Sequence, residues 1–288
     1  MQKVKEELAR CRSGLEGEKT LLYFLSEVAG PSRILHDIRL PFPHSFTYFQ
    51  MDTILITPYM IFIIEAKHHH GRLLLDRSTR KMIRGREIFD DPITQVLRHK
   101  RGLESHIHSS LPVTALVAFT HPHVLLEITP PDTTEQSFIT YARELPAKVE
   151  QLHLEKKRRL TKQEVHRLAD KLKSMNQPYD PDILQLFHIE TSQIQKGIQC
   201  EKCQSWSVKR LNRRWVCLHC RSFLKDPHIP ALKDYARLYG TTISNGQLRA
   251  FTGIDSASSV KRILLKWAVE KEGDKKGRVY QLPEEWKK

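Results

Sequence analysis

The chain has 288 residues, 40% of them apolar, and a formal charge of +14, which suits two or three globular units with ordinary cores. Its longest apolar stretch, Ile54 to Ile64, carries Pro58 and is too short to cross a bilayer, so no membrane partner is expected. Base is concentrated late: Thr191 to Lys288 holds 20 Lys plus Arg against 9 Asp plus Glu, which leaves +3 on the preceding 190 residues and suggests a polyanionic partner.

The opening Met1-Gln2-Lys3-Val4-Lys5 is polar and shows no secretory signal, and a cytoplasmic location is expected. Four of the five cysteines form two tight pairs, which in a reducing compartment reads as metal binding before disulfides. Cys11 is left without an evident role.

In chain order, Leu15, Leu21, Leu22, Leu25 and Val28 recur at helical spacing until Gly30-Pro31. Glu18 on this helix faces either a sheet or solvent. Ile34 to Leu40 predicts a strand that Pro41 and Pro43 end. Two β-branched runs then flank Thr57 to Met60, and Pro58 is excluded from a central strand, so a β-hairpin is expected. With that loop, Ile56 faces Ile61, Ile54 faces Ile63, Asp52 faces Glu65 and Gln50 faces Lys67, all on one sheet face.

Two carboxylates directly opposite each other repel, and a cation should compensate. Paired carboxylates suit a hard divalent ion such as Mg²⁺, completed by waters and phosphate oxygens. Lys67 adds a cation that could stabilise charge developing on phosphate. The structural alternative is a sheet edge on which one carboxylate is protonated or paired with Lys67.

Beyond Lys67, short strands are expected over Gly71 to Asp76 and Lys81 to Ile83, around a Ser78-Thr79 turn. His68-His69-His70 reads either as metal or phosphate contacts or, preferred here because alternating side chains cannot all face one ion, as a strand running into solvent. Asp91 caps a helix with Pro92 at its first position. On that helix Gln95 either supports the site or is exposed. Val113 to Phe119 has the pattern of a strand buried on both faces.

The Gly17-Glu18 helix, Gln50-x-Asp52, Glu65-Ala66-Lys67 and Asp91-Pro92-x-x-Gln95 occur in an order that resembles the nuclease-related domain (NERD) family of the PD-(D/E)xK, restriction-endonuclease-like superfamily. The likeness covers roughly residues 14–120. It implies an α/β fold with an αβββαβ core and a mixed sheet. It also implies that Asp52 and Glu65 are Mg²⁺ or Mn²⁺ ligands, that Lys67 is the catalytic lysine, and that Glu18 and Gln95 support the site. The family commonly has Asn after the lysine, where this chain has His68.

Residues 121–190 read as a helical extension and linker, proline-punctuated at first, with a capping-box signature at Thr161-x-x-Glu164. Within 196–224, Cys200-x-x-Cys203 and Cys217-x-x-Cys220 predict a closed tetrahedral site for structural Zn²⁺ in a zinc ribbon, although spacing alone admits iron. Lys209, Arg210, Arg213 and Arg214 on the connecting hairpin could follow a nucleic-acid backbone. Over 230–286, three helices and a hairpin resemble a winged helix, an α+β module with Lys261 and Arg262 on the candidate recognition helix and Lys275, Lys276 and Arg278 on the wing.

Together these features predict a Mg²⁺- or Mn²⁺-dependent nuclease acting on nucleic acid, DNA in the first instance, with basic modules that hold substrate. The alternatives are a non-catalytic nucleic-acid-binding or regulatory protein and a protein-interaction scaffold.

Overall fold

A computed structural model describes residues 2–107, 111–131, 133–154, 156–211, 214–274 and 277–287. The chain divides into two units, Met1–Asp180 and Pro181–Lys288. Both are built from mixed α and β structure.

The first unit opens with α1 (Gln2–Leu25), which begins well before the apolar repeat at Leu15. Its leader is rich in good helix formers and gains the side-chain contacts Gln2–Glu6 and Arg10–Glu7, so charge does not prevent helix there. The chain continues through β1 (Arg33–Pro41), β2 (Tyr48–Ile56), β3 (Ile61–Lys67), β4 (Gly71–Asp76), β5 (Lys81–Arg84), β6 (Glu87–Asp90) and α2 (Pro92–His106). It then forms β7 (Val113–Phe119), β8 (Val124–Thr129), α3 (Thr133–Gln136), β9 (Ile139–Tyr141), α4 (Leu145–Leu154) and α5 (Lys162–Met175). The expected αβββαβ order is present, with β4 to β6 inserted before α2. Asp91 caps α2 by accepting the Thr94 N–H, and the Thr161/Glu164 capping box starts α5.

The main sheet has the order β1-β2-β3-β7-β9. Its first three strands are antiparallel, while β3–β7 and β7–β9 are parallel. Helices cover both faces. Leu21, Leu25, Leu55, Phe62, Ile64 and Leu145 form a core on the α1 and α4 side. Ile54, Ile56, Ile61, Ile63, Ile93, Val96 and Leu172 form the core on the side of α2 and α5. A second sheet, β6-β5-β4-β8, takes in residues 124–129 through parallel pairing of β4 with β8, so the start of the expected helical extension is a strand.

The second unit begins with α6 (Ile183–Leu186), then β10 (Val208–Leu211), β11 (Arg214–Cys217) and β12 (Phe223–Leu224) in an antiparallel sheet. There follow α7 (His228–Tyr239), β13 (Thr242–Ser244), α8 (Asn245–Thr252), α9 (Ala257–Trp267), β14 (Glu270–Glu272) and β15 (Val279–Gln281). The expected three helices and terminal hairpin are present, the hairpin widened to a sheet of order β13-β15-β14. One apolar cluster joins the two parts: Val208, Trp215, Cys217 and Leu224 pack in the same core as Leu232, Leu248 and Leu264. Among the described residues, no helix is long and apolar enough to cross a membrane.

Candidate functional site

The β2–β3 turn is fixed by Thr57, whose hydroxyl donates to the Met60 carbonyl at 2.9 Å and accepts the N–H groups of Tyr59 and Met60. The ladder runs in the predicted register, Ile56 with Ile61 and Ile54 with Ile63, and ends at Thr53 with Ile64. One step further, the Asp52 carboxylate takes over and accepts the Ala66 N–H at 3.0 Å. That bond places Asp52 beside Glu65, as expected.

The expected pairing of Gln50 with Lys67 does not form. Gln50 pairs with Arg39 of β1 and donates its side-chain amide to Asp37, while Lys67 pairs with Phe119 of β7. The β2–β3 ladder has already ended at Thr53 with Ile64, so Gln50 and Lys67 pair with the strands on their other edges. On β1 the left-handed Asp37, φ 53°, marks where burial changes phase from Leu35 to Ile38 and Leu40. On β2 burial alternates through Phe49 and Met51 and then covers both faces from Thr53 to Ile56.

Glu65 is 3% exposed. Its Oε1 accepts Lys67 Nζ at 2.8 Å and Gln95 Nε2 at 2.6 Å, and Gln95 Oε1 accepts Lys67 Nζ at 3.0 Å. Helix α2 thus presents Gln95 to the strand end. The pattern missed His99, one turn on. It is buried, and its Nδ1 lies 3.7 Å from Glu65 Oε2. The spacing of four from Gln95 was the available signal.

Electrostatics favour a further cation. Burial and then the Glu65 charge push Asp52 up to about 7, against the Ala66 N–H and Lys67. Burial, Asp37 and Glu65 also raise Glu18. Glu18 is set near this group because Gly17 lets α1 approach the end of β3; a Cβ there would lie 2.9 Å from His68 Cβ.

Two features therefore fit Mg²⁺ or Mn²⁺: the raised proton affinity of Asp52, and Glu65 Oε2, which is buried without a hydrogen-bond partner. Asp52 and Glu65 would hold the ion.

The three histidines do not simply run into solvent. His68 is half-buried with Nδ1 2.9 Å from the Thr120 hydroxyl, and His69 packs on Phe89 at 4.9 Å between ring centroids. Only His70 is exposed.

In the second unit the four Sγ atoms of Cys200, Cys203, Cys217 and Cys220 lie within 4.8 Å of one another. The two turns repeat one geometry. Gln204 and Arg221 both have left-handed φ, 60° and 57°, and return their N–H groups to Cys200 and Cys217 carbonyls at 2.8 Å. The N–H of Cys220, with the Ser205 hydroxyl, holds Cys217 down at about 6. Four sulfurs at this spacing fit a tetrahedral Zn²⁺.

Lys209, Arg210 and Arg262 line one cleft of about 270 Å³ between β10 and the start of α9. Arg214 lies elsewhere, its guanidinium 5.7 Å from the Phe223 ring, and Lys261 is exposed on α9. Arg278 is paired with Asp274 at 3.2 Å. Arg213, Lys275 and Lys276 lie outside the described residues.

A nuclease-type α/β core with a carboxylate–lysine centre is thus followed by a four-cysteine centre. Residues 13–120 match the family model of the nuclease-related domain. A protein of Bacillus anthracis, described as uncharacterized, is similar: 29% identical over 119 residues, covering 40% of this chain and 55% of that protein. The chain thus spans about half the length of this curated relative. No solved structure matches the chain.

Proposed function

We propose that the chain is a Mg²⁺- or Mn²⁺-dependent nuclease that hydrolyses phosphodiester bonds in DNA, with Asp52, Glu65 and Lys67 at its centre. The observation that carries this reading is Glu65 Oε2, buried without a hydrogen bond and with His99 Nδ1 3.7 Å away, beside an Asp52 of raised proton affinity.

A bound divalent ion supplies an activated water and neutralises charge on the phosphate. The chain's own residues prepare that site. Ala66 N–H fixes Asp52, and Gln95 with Lys67 fixes one oxygen of Glu65, leaving the other for the ion. Lys67 Nζ keeps partial exposure, 19% for its side chain, and brings positive charge to where the phosphate becomes more negative. Glu18 adds a third carboxylate at the rim. In the second unit, the helix and strand order from α7 to β15 supports a winged-helix-like module. With the ribbon and its bound Zn²⁺, that module would hold nucleic acid through Lys209, Arg210, Arg214, Lys261, Arg262 and Arg278.

A second reading, a non-catalytic nucleic-acid-binding protein, is favoured by the Lys67–Glu65 ion pair, which neutralises the buried carboxylate with no ion. Cleavage of linear and circular DNA with Mg²⁺ or Mn²⁺ separates the two. Wild type should cut, and Asp52→Ala, Glu65→Ala and Lys67→Ala should each lose at least about a hundredfold in rate at unchanged Zn content. Binding without cleavage by wild type would select the second reading.

A further inference from the structure

The two segments that leave the main sheet side by side each carry His-x-His: His68 and His70 after β3, His121 and His123 after β7. Parallel pairing aligns them. Thr120 N–H donates to the Lys67 carbonyl at 3.1 Å at one end, and Gly71 N–H donates to the His123 carbonyl at 2.9 Å at the other. Between these bonds the rings gather. His121 lies 5.0 Å from His68 and 5.7 Å from both His70 and His123, between ring centroids.

We infer that this histidine cluster is a second transition-metal site, a place for Zn²⁺ or a similar borderline ion, separate from the four-cysteine centre and from Asp52 and Glu65. Imidazole suits such ions, whereas carboxylate and water suit Mg²⁺. Metal–nitrogen bonds of about 2.0–2.1 Å in tetrahedral array put neighbouring ring centroids about 5 Å apart, close to the separations present here. His68 is set for the role: its Nδ1 faces the Thr120 hydroxyl, the usual outer support of a metal-bound histidine, and its Nε2, 3.9 Å from the exposed Glu16 carboxylate, is the nitrogen that would take the ion.

Among the described residues, only the cysteine quartet already brings three or more ligand atoms within 4.8 Å, so the imidazole nitrogens must turn inward. His70 and His123 are exposed and can do so by side-chain rotation. His121 accepts the His123 N–H at Nδ1, and it joins as a fourth ligand only by giving up that bond. The ligand set is the four rings, with His121 the common neighbour of the other three.

The test is Zn²⁺ titration of the full chain by calorimetry, with elemental analysis of the isolated protein. Wild type should take up two ions, and the double variant His70→Ala/His123→Ala should keep one, with the weaker site lost by tenfold or more in affinity. His69→Ala and Asp52→Ala should both retain two. One ion on wild type overturns the inference, as does equal loss from His69→Ala. Loss of the second ion from Asp52→Ala moves it to the carboxylate site and overturns the inference while leaving the nuclease reading in place. Retention of one ion by the double variant, at the cysteines, shows that the fold survives.

Discussion

Gly17 of α1 and His68, just after β3, approach so closely that a Cβ on Gly17 would lie 2.9 Å from His68 Cβ and 3.0 Å from Thr120 Oγ1. This contact seats the helix that carries Glu18. The Gly17→Ala substitution should force α1 outward, costing about 1–3 kcal/mol. Urea denaturation measures the cost. An unchanged midpoint would show that the approach is not tight in solution.

Asp52 predicts how stability depends on pH. Its folded-state value of about 7 lies above the ordinary 3.8, so between these values the folded chain holds the proton that the unfolded chain has released. Its contribution is full below about 3.8 and is lost as pH rises towards 7 and beyond. Without added Mg²⁺ or Mn²⁺, wild type should therefore lose stability relative to Asp52→Asn over this interval. Denaturation midpoints at several pH values report the difference, and parallel curves for the two proteins would contradict the assignment.

The same residue couples pH to metal. Protons compete with the ion for Asp52, so Mn²⁺ affinity at this site should rise as pH increases through about 7 and level off above it. Titration of the Mn²⁺ electron-spin signal follows this directly. In Asp52→Asn both the affinity and its pH dependence should be lost.

Asp91 joins two jobs. It caps α2 through Thr94 and it accepts from the guanidinium of Arg77, whose side chain is 5% exposed and also pairs with Glu135. Asp91→Ala removes the cap and a buried charge partner together, for an expected loss of about 2–4 kcal/mol. Because α2 also carries Gln95, DNA cleavage should fall as well. Asp91→Asn should recover the cap and part of the stability, which denaturation of both variants resolves.

In the second unit, the cysteine centre and the following helices share one core. Cys217→Ser, or removal of Zn²⁺, should therefore unfold Pro181–Lys288 as a whole and leave the first unit folded. Calorimetry should show the loss of one transition. Survival of the α7 to α9 helices after metal removal would show that the ribbon is separable.

Local chemistry made much of this protein legible in its sequence. Pro58 and the β-branched runs around it set the hairpin and its register, because side-chain alternation leaves a hairpin few alternatives. Asp91-Pro92 and Thr161-x-x-Glu164 start helices through bonds closed within one turn. The four cysteines announce their centre by spacing alone.

What only the tertiary structure decided was long-range. The β2–β3 ladder stops at Thr53 with Ile64, short of Gln50 and Lys67. The parallel pairing of β4 with β8 places residues more than 50 positions apart in one sheet, and brings His121 and His123 to His68 and His70. Gly17 matters through the neighbour that fills its missing side chain, and His99 through the carboxylate it faces. Periodicity records which side of an element is apolar; it does not record which distant segment will cover that side, because many partners satisfy the same hydrophobic pattern and only packing selects one.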